Sequence, residues 1–254
     1  MWTIATYQPT TFFSLRPALS TSSGGQTLVV PTPFALKMAL LDVAIRGWGL
    51  EQTVAWFPIL RDLQVAIAPP DRLIINHTFI KIQRLKKNIP KELDDRGLFT
   101  PLNATIAFRA FVQFGGNMQI AVTPGAGLAT ESKSKKSQVV ATTPPPLAAL
   151  LAQLSYLGKR GGFFQLQTQP TEVETLPEYP DGRFVRLTNS LSFRLDGLMQ
   201  VLDDCAPHLE FAQVNVYDPK SLQVGKDRLL KHVALPYRLK RSSQRYQLYE
   251  FIQP

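Results

Sequence analysis

Cysteine is almost absent from this chain of 254 residues: Cys205 is the only one. A single thiol excludes an internal disulfide framework and a cysteine-based zinc cluster. Histidine is nearly as scarce. His77, His208 and His232 lie far apart, without metal-ligand spacing among them, so neither a metal nor another cofactor is expected. No Gly-x-Ser-x-Gly, paired-histidine or paired-cysteine motif is found. Long unbroken apolar runs are missing too. The uncharged stretches Ala110–Thr130 and Ser137–Gly158 are interrupted, the first by Gly115, Gly116, Pro124, Gly125 and Gly127, the second by Pro144, Pro145 and Pro146. Neither reads as a membrane span. The first residues lack a basic segment followed by an apolar one, which argues against a secretory signal. A soluble cytoplasmic protein without a membrane partner is expected. Acids are outnumbered, 19 Asp and Glu against 28 Lys and Arg, for a net charge of +9. That excess favours an anionic partner, nucleic acid before anionic lipid. Hydrophobic residues at 44% mark a globular chain rather than a disordered one.

Trp2–Tyr7 alternates β-formers and predicts a first strand. Thr32 and Pro33 are suited to the N-cap and first turn of a helix. Phe34, Met38, Leu41 and Ile45 follow at helical spacing, with Leu36 and Leu40 widening the stripe, and Gly47 is the expected stop. A second helix is expected over Leu50–Asp62. Arg72–Leu85 and Thr105–Gln113 read as strands separated by a polar, basic excursion. Gly115-Gly116 reads as a turn before a strand at Met118–Val122. Gly125–Thr143 reads as a mobile loop. A helix opened by Pro146 is expected to run to Gly158, with a strand at Phe163–Gln167 after it. The order β, α, β, β, α, β is the split βαβ, or ferredoxin-like, order. Beyond Gln169, prolines punctuate short candidate strands at Arg183–Leu187, Leu191–Leu195 and Ala212–Tyr217.

Three constellations bear on chemistry. Lys81, Arg84, Lys86, Lys87 and Lys91 place five cations in eleven residues, the kind of spacing that follows phosphates along a single strand. For one isolated run a solvated strand end is the plainer reading; several basic clusters in one chain shift the balance toward RNA or DNA. In Gly158-Lys159-Arg160-Gly161-Gly162, the glycines would let backbone amides approach a phosphate. Alone, this segment is a helix cap and connector, and it is not a P-loop. Arg109 between Phe108 and the Ala110-Phe111 pair suits stacking or phosphate pairing, and equally a surface arginine flanked by core rings. The stretch from Lys226 to Arg245 adds seven basic residues against one acid, Asp227. His77 and Lys81 lie four strand rises apart, too far for a direct hydrogen bond. Asp203-Asp204, near His208, reads as a helix or turn whose carboxylates point apart.

Arg72–Leu85, the basic excursion, Ile106–Val112 and Tyr156–Gly161 together resemble the fifth CRISPR-associated protein family, the RAMP-type subunits of type I Cascade. The Pro31–Lys37 segment at the head of the first helix is similar as well. The resemblance implies an α+β, ferredoxin-like (RRM/RAMP-type) domain over residues 1–168 with a thumb insertion at about 86–105, and a smaller β-rich region over 169–254. It implies a non-catalytic subunit that holds the 5′ handle of crRNA and caps the backbone filament. The partners implied are the backbone and large subunits and, in the assembled complex, target DNA. Arg109 matches the arginine of the family's Arg-Glu-Tyr-like strand motif, although Ala110 and Phe111 replace its other two members. The residues expected at RNA are Arg16, Lys81, Arg84, Lys86, Lys87, Lys91, Arg109, Gly158, Lys159, Arg160, Gly161 and Gly162. No catalytic residue is assigned. The alternatives are a metal-independent endoribonuclease using His77 or a lysine, and a structural adaptor whose basic surface meets an acidic neighbour.

Overall fold

A computed structural model describes residues 1–20, 25–89, 92–125, 143–158, 161–190, 197–215 and 222–253. It is a mixed α/β structure built on antiparallel sheets. The first sheet contains β1 (Trp2–Pro9), β2 (Gln64–Ala68), β5 (Met118–Thr123), β6 (Phe164–Leu166) and β8 (Val185–Arg186), in the order β6-β1-β5-β2-β8. A further strand, β7 (Thr171–Val173), pairs with the start of β1 beyond β6. Alternation along β1 sends Ala5 and Tyr7 into the main core and Trp2 into a smaller cluster with Ala66, Ala121, Leu176 and Phe184. This sheet is therefore covered on both faces.

Two helices cross between its strands. α1 (Pro33–Trp48) starts as expected: the Thr32 hydroxyl accepts from the Ala35 amide, and Pro33 stands in the first turn. It runs past Gly47 and ends at Gly49, whose φ of 82° suits glycine. Its buried side centres on Leu36, Leu40 and Val43, and Ile45 is exposed. α2 (Leu50–Arg61) follows directly and tolerates Pro58 near its end. α3 (Leu147–Ala152) is one and a half turns long and stops well before Gly158; Tyr7 on β1 donates to its Leu151 carbonyl at 2.6 Å.

Between β2 and β5 the chain leaves the first sheet as a long hairpin, β3 (Arg72–Leu85) and β4 (Leu102–Phe114). β3 has the bounds its β-formers predict. β11 (Tyr237–Ser242) and β12 (Tyr246–Phe251) return from the far end of the chain and extend this hairpin into a second sheet, β11-β12-β3-β4. A third pair, β9 (Leu198–Cys205) and β10 (Arg228–Leu235), packs against α1. Of the strands after residue 169, β7, β8, β11 and β12 thus belong to sheets that also contain strands before it, whereas β9 and β10 pair with each other.

Several expectations need correction. Gln64–Ala68 and Leu198–Cys205 are strands that the pattern reading missed. Asp203 and Asp204 lie on the second of these, not on a helix or turn, and being adjacent they face opposite sides. Asp203 takes Arg228 at 2.6 Å and Asp204 takes Lys37 of α1 at 2.5 Å. Ala212–Tyr217, expected as a strand, begins in the short helix α4 (Phe211–Val214), fixed by a reciprocal capping box between Glu210 and Gln213. The strand expected at Leu191–Leu195 and most of the loop expected at Gly125–Thr143 lie outside the described residues. No helix is long and apolar enough to cross a membrane among the described residues.

Candidate nucleic-acid interface

The cations of the first basic run sit along the outer half of the β3–β4 hairpin. Register partners share a face, and successive residues alternate between faces. Lys81, opposite Ile106, therefore lies on the face of Leu73, Ile75, Val112 and Phe114. Arg84, opposite Asn103, lies on the other face, with Arg109 opposite Thr78. The run is thus split across the ribbon rather than gathered on one side. Lys81 and Arg84 are exposed, as is Lys87 beyond the strand end. Lys86 is half-buried: its amide donates to the Pro101 carbonyl at 2.9 Å, and its ammonium lies 3.5 Å from the Thr100 hydroxyl. The hairpin end is organised by Asp94. Its carboxylate accepts from the backbone amides of Leu98 at 2.9 Å and Arg96 at 3.0 Å. The Leu98 amide first, and Arg96 after it, hold that carboxyl below its ordinary range. Lys91 lies outside the described residues.

The glycine-rich segment closes a turn between Tyr156 and Phe163, which bridge each other. Gly158 and Gly161 take φ of 74° and 103°. Gly162 is confined: a Cβ there would come 2.7 Å from the Leu157 carbonyl and 3.0 Å from the Phe13 ring. Thr11 clamps the turn, donating to the Gly161 carbonyl and accepting from the Phe163 amide at 2.9 Å. Two residues on, Phe13 exchanges backbone hydrogen bonds with Val112 of β4. The turn is therefore tied to the base of the hairpin. Lys159 and Arg160 lie outside the described residues. From the Ile75–Val112 rung to the Leu85–Leu102 rung is ten rises, about 30 Å. The glycine turn and Lys86–Lys87 therefore stand at opposite ends of a strip, which a nucleotide chain of several residues could span and a mononucleotide could not.

Arg109 is half-buried three rises from the base of that strip, with one guanidinium nitrogen 3.3 Å from the Phe108 carbonyl. Arg16 folds back on its own loop, donating to the Ser20 hydroxyl at 2.8 Å and carbonyl at 2.7 Å. His77 stacks on Phe108, with centroids 5.7 Å apart and planes at 11°. Its Nδ1 is buried and has no hydrogen-bond partner. Among the described residues no three His, Cys, Asp or Glu side chains form a metal-binding group.

Two features escaped the residue-by-residue reading. Phe79 and Ile106 are 72% and 76% exposed on the face that carries the core farther down the hairpin. The continued alternation of β-formers past Ile75 was a visible sign of that apolar strip. The basic stretch from Lys226 to Arg245 divides. Arg228 is engaged by buried Asp203, whereas Arg238, Lys240 and Arg241 stand exposed on β11, in the same sheet as Arg109.

No family profile matches the chain. It is 34% identical over 94 residues to CRISPR-associated protein Cas5 of Archaeoglobus fulgidus, a match covering 37% of this chain and 41% of that protein. The chain thus spans about two fifths of the length of that relative. Two solved structures align loosely over most of it. One is a chain of a CRISPR RNA-guided surveillance complex (12% identity, TM-score 0.46, 92% of this chain and 88% of that one). The other is a CRISPR protein from Archaeoglobus fulgidus (10% identity, TM-score 0.39, 98% and 91%). Over those 94 residues the chain is similar to a Cas5 protein, a member of the CRISPR-associated family that its own short motifs resemble.

Proposed function

We propose that this chain is a non-catalytic subunit of a Cascade-type CRISPR complex and that it holds the 5′ handle of crRNA. The observation that carries the reading is the β3–β4 hairpin. It runs beyond the core with Lys81, Arg84 and Lys87 exposed, and its base is tied through Thr11 and Phe13 to the turn that contains Gly158, Gly161 and Gly162. Spaced cations along an extended strip suit a single-stranded backbone, since each neutralised phosphate releases counterions. The Cas5-type sequence match and the net charge of +9 support the same reading.

The strand order supports the finer fold reading. In β6-β1-β5-β2, the chain passes from β1 to β2 through helices with β5 between them, and from β5 to β6 through α3 with β1 between them. That is the split βαβ arrangement of a ferredoxin-like, RAMP-type domain. The hairpin inserted between β2 and β5 takes the part of the thumb. In this reading backbone and large subunits flank the chain, and target DNA reaches it only in the assembled complex.

The test is handle-RNA affinity of the assembled complex with Lys159→Glu and Arg160→Glu. Weaker binding is expected, with a salt slope shallower by about 0.7 for each phosphate of a single strand that is no longer neutralised. Unchanged affinity and slope would defeat the assignment. Purified protein incubated with repeat RNA in EDTA is expected to leave it intact. Site-specific cleavage that disappears in His77→Ala would replace binding with catalysis.

A further inference from the structure

The β11-β12-β3-β4 sheet has a second face, opposite the core. Its rows follow from the register. Arg238, Glu250 and Arg72 form one row. The next contains Arg241, Leu248, Ile74 and Gln113, and the one after it Tyr246, Asn76 and Phe111. Thr78 and Arg109 follow. A β-bulge between Leu239 and Arg241 inserts Lys240 into the edge strand. Lys240 and Arg72 both lie 3.5 Å from the Glu250 carboxylate, so the bulge aims two consecutive cations, Lys240 and Arg241, at one face. These rows present five cations, Arg72, Arg109, Arg238, Lys240 and Arg241, against a single acid, Glu250. Tyr246 is exposed, while Phe111 and Asn76 are half-buried.

We propose that this face binds single-stranded nucleic acid, with Tyr246 and Phe111 as stacking rings and Arg241, Lys240 and Arg72 as grips for phosphates. The two rings share a row with one strand between them, about 10 Å apart, and Arg109 lies one row away, about 7 Å along β4. Asn76, between the rings, brings an amide that can both donate to and accept from a base edge. Rings flanked by arginines are what a sequence-tolerant single-strand site requires: π-faces for bases and charge for the backbone. Cations on an exposed edge strand also discourage edge-to-edge pairing. That role calls for charge on β11 alone and accounts neither for Arg72 on β3 nor for the ring–amide–ring row at the centre. The inference goes beyond the handle-binding reading, which draws on the outer half of the hairpin and the glycine turn. It rests on that reading only in taking nucleic acid as the partner.

The experiment uses the full chain, a fluorescein-labelled 15-mer of oligouridine and a salt titration. Lys240→Glu with Arg241→Glu is expected to weaken binding more than tenfold and to flatten the salt slope by about 1.4, the value for two phosphates of a single strand. Tyr246→Leu is expected to weaken it about tenfold with the slope unchanged, and Tyr246→Phe to retain it. An oligonucleotide carrying 5-iodouracil should cross-link to Tyr246. These residues are exposed and bear no core packing, and an unchanged melting temperature confirms that the variants fold. Full affinity in the Lys240/Arg241 and Tyr246→Leu variants overturns the proposal, including the case where the face meets an acidic protein instead. If Lys86→Glu with Lys87→Glu abolishes oligouridine binding and the face variants do not, the face is excluded and the handle-binding reading stands. Failure of the unaltered chain to bind oligouridine overturns the proposal, while the handle-binding reading is decided by the assembled complex.

Discussion

The base and the end of the β3–β4 hairpin share two strands, one register and one alternation of apolar residues, yet their surroundings differ. At the base, Leu73 and Val112 are fully buried in the main core. Farther out on the same face, Phe79 and Ile106 are almost bare, and Leu85 and Leu102 are exposed beside them. A two-stranded ribbon alone is marginal in water. The outer half is therefore held by continuity with the base and by the Asp94 turn, not by burial. Period-two patterning marks which residues share a face; it does not say whether anything lies over that face.

The sharpest contrast is electrostatic. Lys37 and Asp204 form an ion pair at 2.5 Å with the lysine side chain 3% exposed, whereas Arg96 and Asp94 pair at 3.1 Å at the hairpin end with the arginine 77% exposed. Asp204→Ala strands a buried ammonium and is expected to cost about 3–5 kcal/mol. Arg96→Ala is expected to cost less than about 1 kcal/mol. Urea unfolding of both variants measures the difference, and equal losses would erase the distinction between the two settings.

The apolar contrast is expected to be somewhat smaller. Leu73→Ala leaves a cavity in the core and should cost about 2–5 kcal/mol. Phe79→Ala removes a ring that is mostly in water and should stay within about 0.5 kcal/mol of the unaltered chain. A large loss for Phe79→Ala would mean that the outer half is packed in solution.

The same division explains what the sequence disclosed. The N-cap pair Thr32-Pro33 and the full span of β3 were legible because their signals are local. β2 was not: Val65–Ala68 is short and apolar without a break, so no period-two alternation marks it as a strand. β9 was hidden by Asp203-Asp204, whose partners Arg228 and Lys37 lie 25 and 167 residues away. At the site, the charges were visible, but their division between two faces of the hairpin came with the register of β3 and β4. The row of Tyr246, Asn76 and Phe111 was not visible, because it exists only after β12 returns from the far end of the chain to pair with β3.

The smallest effect expected separates the hairpin end from the core by pH. The Asp94 carboxyl titrates below its ordinary range because the Leu98 and Arg96 amides donate to the ionised form. A carboxyl whose folded pKa is depressed contributes stability at pH values above the unfolded pKa, about 3.9, and loses it as pH falls through the folded value. The Asp94 turn is thus intact at neutral pH and loosens only below about pH 4. The Leu98 amide resonance should report that step, with an apparent midpoint below the ordinary carboxyl value, and Asp94→Asn should remove it. Amides of Leu73 and Val112 at the base should not follow the same midpoint, because no carboxylate bonds to them. A common midpoint at the two ends would mean that the hairpin opens as one unit with the core, and the contrast between its halves would fail.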